Sequence, residues 1–188
     1  MQITAAQKLT FEEYLAYDDG TNLRYELVNG QLLPMAPPKP KHQFIVRALT
    51  LAFEQEIYRL KLPRMTLTNI GVRTGLRSCR CPDLCLTTIE QAREIDEKSG
   101  VFETPPLLAV EVVSPSSVED DYITKRDEYQ ATGIPEYWVV DAISDDSRIT
   151  IHTLKGEVYN LQVFRNQEQL VSATFPELKV TAEAILNA

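Results

Sequence analysis

The sequence predicts one α/β (α+β) domain in which a mixed central β-sheet is flanked by helices, and three observations point there. An apolar segment, LLAVEVV, is followed by a helix-length stretch and then by a second apolar segment, EYWVVD. This is the βαβ pattern, in which the two strands run parallel and the helix covers one face. An Asn-Gly hairpin precedes this unit and alternating segments follow it, so antiparallel strands share the chain. At 188 residues and 44% hydrophobic content, the chain can bury one substantial core, and residues 1–188 read as a single domain.

Thr10, followed three residues on by Glu13, is a capping-box pattern that predicts a short helix from Phe11 to Tyr17, with Leu15 against the core. RYELV, Asn29-Gly30 and QLLPM form a hairpin, because Asn-Gly supplies the positive φ angles of a tight turn. Tyr25 and Leu27 then share one face, and Arg24, Glu26 and Val28 the other. The proline-rich stretch from Pro34 to Pro40 cannot continue a ladder and reads as a loop. It leads to a helix from about His42 to Leu60, with Phe44, Ala48, Leu51 and Ile57 as its apolar side. Strands are expected around Met65 to Thr74 and Cys81 to Thr87, then a short charged surface helix within Glu90 to Gly100. After LLAVEVV, Ser117 with Asp120 is a second capping box and Gly133 a C′ residue, which predicts a helix from Val118 to Thr132. RITIHTL and EVYNLQVF read as antiparallel strands, and TAEAILNA as a closing helix.

The 27 acidic and 19 basic residues give a net charge of -8, which argues against strong non-specific nucleic-acid binding. A local basic strip can coexist with that balance, and Lys39, Lys41, Arg47, Arg73, Arg77 and Arg80 are its candidates. The longest apolar run is interrupted by Glu111, and MQITAAQKL lacks a signal-peptide pattern, so a cytoplasmic protein without a membrane partner is expected. Cys79, Cys81 and Cys85 are odd in number, clustered and without a nearby histidine. They read as reduced thiols packed beside the sheet, in preference to a disulfide framework or a zinc set.

Charges then fall where apolar residues are expected. Glu111 lies mid-strand on one face with Ala109 and Val113, and a carboxylate buried there needs a cation, a metal or a hydrogen-bond cluster. Asp83 opens the preceding strand on the side of Cys85 and Thr87. Pro82-Asp83 is also ordinary turn chemistry, and it is the pairing with Glu111 that lifts the functional reading. Two such carboxylates make a hard-oxygen site suited to Mg²⁺ or Mn²⁺. Val118, Tyr122, Lys125 and Tyr129 recur as one helical stripe, so Lys125 takes an inward position. Its ammonium either points to the sheet or snorkels past the tyrosines to water. Trp138 reads as core.

ELVNGQLLPMAPP, CPDLCL, LAVEVVSPSS and KRDEYQATGIPEYWVVD, in that order, resemble the cyanobacterial restriction-endonuclease family Uma-two, a branch of the PD-(D/E)XK nucleases. The resemblance implies a restriction-endonuclease-like core with an added N-terminal helix and hairpin. It also implies a metal-dependent endonuclease acting on nucleic acid, DNA foremost. By the same resemblance Asp83, Glu111 and the carbonyl of Val112 bind the ion, Mg²⁺ or Mn²⁺. Val113 stands where the family's Glu-x-Lys pattern has its lysine. The lysine has moved onto the following helix, which points to Lys125, the residue that the stripe singles out independently. Glu26 matches the ELVNG segment and would extend the acidic site, although a hairpin surface glutamate is an equally good reading. His42 reads as the opening residue of its helix. The competing function is a nuclease-fold binding module without catalysis, and a homodimer stays open.

Overall fold

The computed structural model describes residues 8–96 and 100–188. The first capping box forms as read: Thr10 Oγ1 accepts the Glu13 N–H at 3.1 Å, and Glu13 accepts the Thr10 N–H at 2.7 Å. It starts α1 (Phe11–Leu15), which turns Phe11 and Tyr14 inward and leaves Leu15 exposed. Tyr14 packs on the Phe11 cluster while Leu15, at the last position of the helix, is 39% exposed, which corrects the expected inward residue. β1 (Tyr25–Val28) and β2 (Gln31–Pro34) make the hairpin, with φ of 50° at Asn29 and 85° at Gly30.

Pro40 takes the first turn of α2 (Pro40–Leu60), which buries Ile45, Val46, Leu49, Phe53 and Ile57. Phe44 and Leu51 face solvent. The expected stripe mixed two arcs of one helix, both apolar, and only packing distinguishes them. The stretch expected as one strand from Met65 to Thr74 is divided. β3 (Arg64–Leu67) and β4 (Gly71–Gly75) join different sheets, and Asn69 between them has φ 63°. β5 (Ser78–Arg80) and β6 (Leu84–Thr88) follow, so Asp83 stands just ahead of its strand. Next come α3 (Ile89–Asp96), β7 (Val101–Phe102), which the sequence reading missed, and β8 (Leu108–Val112). A π-helical turn (Asp120–Thr124) runs into α4 (Lys125–Thr132), closed by Gly133 at φ 86°. β9 (Glu136–Asp141), β10 (Arg148–Lys155), β11 (Val158–Phe164) and α5 (Ala182–Leu186) complete the order.

The strands form two mixed sheets flanked by helices, which bears out the expected α/β (α+β) class with a mixed central sheet and an added hairpin. The central sheet runs β11-β10-β9-β8-β6-β3 and contains the parallel β8–β9 pair of the βαβ unit. The hairpin belongs to a second sheet, β2-β1-β5-β4-β7. Side chains alternate along β8. Leu108, Val110 and Val112 join Trp138 and the α2 residues Leu49 and Phe53 on one face of the central sheet. Ala109 and Val113 join Tyr129 of α4 on the other. Trp138 is core: its ring meets Phe53 edge-on at 5.3 Å, and its indole N–H donates to Glu136 Oε1 at 2.6 Å.

Cys79, Cys81 and Cys85 are free and buried, and burial pushes the Cys79 thiol up to about 12 and that of Cys81 to about 11. The six basic residues do not make a strip. Arg80 is buried, Arg73 lies over the Phe11 ring beside Glu103, and Lys41 donates to the Ala142 carbonyl. Among the described residues no helix is long and apolar enough to cross a membrane.

Candidate active site

The antiparallel register of β6 on β8 pairs Leu84 with Val110, which brings Asp83 alongside Glu111 at the strand ends. Strand alternation puts Glu111 on the α4 face, where it is 3% exposed. Its carboxylate accepts the Tyr129 hydroxyl at 2.7 Å on Oε1, and Lys125 Nζ stands 3.0 Å from Oε2. Burial pushes this carboxyl well above the usual range. The Lys125 charge opposes that, while Asp121, Asp83 and Glu26 add to it.

The π turn determines how Lys125 arrives there. The Lys125 N–H bonds to the carbonyl of Asp120, five residues back, so one extra residue shifts the helical phase. The inward line is therefore Asp121, Lys125 and Tyr129, all buried, while Val118 is exposed and Tyr122 half-buried. Lys125 points inward as the stripe predicts, but Asp121 replaces Val118 and Tyr122 in that line. The second capping box does not form. Ser117 accepts the Ser114 N–H at 2.9 Å and donates to Asp121 Oδ2 at 2.6 Å, and Asp120 turns to Arg80. Lys125 Nζ lies 2.9 Å from Asp121 Oδ1. Burial works against the ammonium, but Glu111, Asp121 and Glu26 outweigh it and hold Lys125 charged. Sequence reasoning missed Asp121; its acid-to-lysine spacing of four residues on one helix is the signal that could have found it.

Asp83 is held from two sides. Its Oδ2 accepts the Val112 N–H at 2.7 Å and lies 3.1 Å from His42 Nε2, which comes from the first turn of α2. Burial lowers the His42 pKa, but the Asp83 carboxylate outweighs it and raises the imidazole above its ordinary value. Glu26 sits beside this group, not in it. It accepts Arg80 at 3.0 Å and the Cys81 N–H at 2.9 Å, and only its charge reaches Glu111, Lys125 and Tyr129. The structure thus brings together Asp83, Glu111, Val112 and Lys125, adds His42 and Asp121, and places Glu26 at the margin.

Among the described residues, no three His, Cys, Asp or Glu side chains stand close enough to cage a metal. The donor chemistry nonetheless fits a Mg²⁺-like ion, which keeps waters and needs only one or two carboxylates from the protein. Asp83, just ahead of β6, and Glu111 of β8 supply two carboxylates at facing positions of the two strands. One buried polar side-chain atom of this group, His42 Nδ1, lacks a hydrogen-bond partner among the described residues.

A mixed central sheet with a crossover helix packed on it, beside a second sheet that carries the hairpin, defines an α+β protein. The chain belongs to the family Uma2, "Putative restriction endonuclease", whose model matches residues 11–183. Its fold is similar to that in the crystal structure of a putative nuclease belonging to DUF820 from Anabaena variabilis. The TM-score is 0.78 at 16% identity, over 95% of this chain and 98% of that one. Comparison with curated proteins finds no match.

Proposed function

We propose that this protein is a metal-dependent endonuclease that hydrolyses phosphodiester bonds of nucleic acid, DNA foremost, in the cytoplasm. The observation that supports it best is Lys125 Nζ at 3.0 Å from Glu111 Oε2, supplied by the helix that follows the Glu111 strand. A lysine there replaces the one that Val113 lacks. Asp83, Glu111 and the Val112 carbonyl would hold Mg²⁺ or Mn²⁺, which when bound polarises a phosphate oxygen and lowers the pKa of water. The chain's own groups do the rest. Asp121 and Glu111 keep the Lys125 ammonium charged despite burial, ready to orient water or offset charge that develops on the phosphate. The Val112 N–H and His42 orient Asp83.

The test is cleavage of plasmid and single-stranded substrates across Mg²⁺ and Mn²⁺, paired with calorimetric ion titration. Asp83→Ala and Glu111→Ala should each abolish ion binding and leave the fold intact; unchanged affinity in both sinks the assignment. A second reading, a binding module without catalysis, draws on the net charge of -8 and on the two carboxylates that already neutralise Lys125. It predicts no ion binding and no cleavage.

A further inference from the structure

The central sheet takes one side of α2, and the opposite side carries a second apolar stripe. Phe44, Leu51 and Tyr58 are 55%, 49% and 87% exposed. They recur every seven residues, so they lie within about 40° of one line that runs for about 21 Å, opposite Leu49 and Phe53. Scattered surface apolar residues are ordinary, but three large ones in line on one helix mark an interaction face. Arg47 and Glu54 flank the line on one side, Ala48 and Gln55 on the other. Arg47 has no ion-pair partner among the described residues. Glu54 uses only Oε1, for the N–H and hydroxyl of Thr66.

We propose that this face of α2 docks a second copy of the chain, with the two α2 helices antiparallel across a two-fold axis at Leu51. Residues equidistant from Leu51 then meet across the axis. Phe44 of each copy packs on Tyr58 of the other, and Leu51 packs on itself. An antiparallel pair keeps the same flank of both helices on one side, so Arg47, four residues before the axis, faces Glu54, three residues beyond it in the other copy. The symmetry makes that ion pair twice. A parallel pair would set the Arg47–Glu54 flank of each helix against the Ala48–Gln55 flank of the other and leave these charges unpaired, so charge complementarity selects the antiparallel arrangement. One helix pair buries less than a standard interface of about 1,600 Å², which makes the dimer a micromolar, concentration-dependent one.

This inference does not depend on cleavage, and its test is oligomeric state. Sedimentation of the full chain between roughly 1 and 300 µM should move its mass from 21.3 kDa toward twice that value. Leu51→Glu sets two carboxylates on the axis and should raise the dissociation constant at least about tenfold. Register is read by oxidative crosslinking, which the buried native thiols do not disturb. Leu51→Cys should link across the axis, whereas Phe44→Cys should link only when combined with Tyr58→Cys. Circular dichroism checks that these surface variants stay folded. A wild type that is monomeric at the highest concentration, or Phe44→Cys crosslinking as readily as Leu51→Cys, overturns the proposal.

Discussion

Two buried cations, Arg80 of β5 packed against the crossover helix and Lys125 on the helix itself, each sit among carboxylates, and they are used differently. Arg80 is 1% exposed and donates five hydrogen bonds: two to Glu128, two to Asp120 and one to Glu26, at 2.8 to 3.3 Å. A guanidinium has five N–H donors, so this group is saturated and ties the second sheet to the crossover helix. Lys125 has two carboxylate neighbours, and the acids around it outnumber its charge: Glu111, Asp121 and Asp83 all lie within electrostatic reach of one another. A saturated ion cluster stabilises one arrangement. The Lys125 ammonium has three N–H donors and two carboxylate partners among the described residues, so its cluster is unsaturated and, on the proposed function, keeps a donor for a substrate oxygen. The difference follows from the side-chain chemistry, since a planar fork fills its own surroundings and a point charge does not.

Arg80→Met should give the largest effect on stability. It leaves Glu26, Asp120 and Glu128 without their counter-ion and should cost about 3 to 5 kcal/mol, read by urea unfolding. Lys125→Met should cost less, because Glu111, already pushed toward protonation, can take up a proton and neutralise itself. If the two losses are equal, the contrast between a structural and a functional cluster fails. The order reverses for activity. Lys125→Met should lower the cleavage rate by roughly 10² to 10³, about 2.7 to 4 kcal/mol, with ion affinity kept or raised. Metal-dependent cleavage that survives Lys125→Met would make this lysine structural too.

His152 sharpens the same point from the other side, as a buried basic group with no carboxylate partner among the described residues. Burial pushes its imidazole down to about 4, against a bond to the Tyr137 carbonyl and with help from the Arg126 charge. The folded state keeps it neutral while the unfolded chain protonates near 6.5, so its contribution to stability is present above that pH and is lost as pH falls toward 4. The loss is on the order of 3 kcal/mol. His152→Gln should flatten that part of the pH profile in thermal melts, and an unchanged slope would show that the ring is already charged. The smallest effect is expected for Ser117→Ala, which removes the hydroxyl bonded to Asp121 Oδ2 at 2.6 Å. It should cost about 1 kcal/mol and slow cleavage through Asp121, with ion affinity unchanged.

Much of this molecule was legible in the residues because the signals are local. The Asn29-Gly30 turn, the Thr10–Glu13 box, Gly133 and the alternation that puts Glu111 with Ala109 and Val113 depend on a few neighbouring positions. The inward direction of Lys125 was likewise contained in its spacing from Tyr129. What the residues left undecided concerns choices between equals. α2 has two apolar arcs, and only the sheet determines that Ile45, Leu49 and Phe53 are covered while Phe44 and Leu51 are not. Met65 to Thr74 reads as one strand until two separate sheets claim its halves. Asp120 and Asp121 are adjacent and chemically alike. A π turn, stabilised by contacts with Arg80 on one side and Lys125 on the other, sends the first to the saturated cluster and the second to the candidate site. The sequence by itself determined which residue types could carry the chemistry, since that is written in short-range pattern. Only the tertiary structure decided which of them meet, because burial and charge pairing are properties of distant residues brought together.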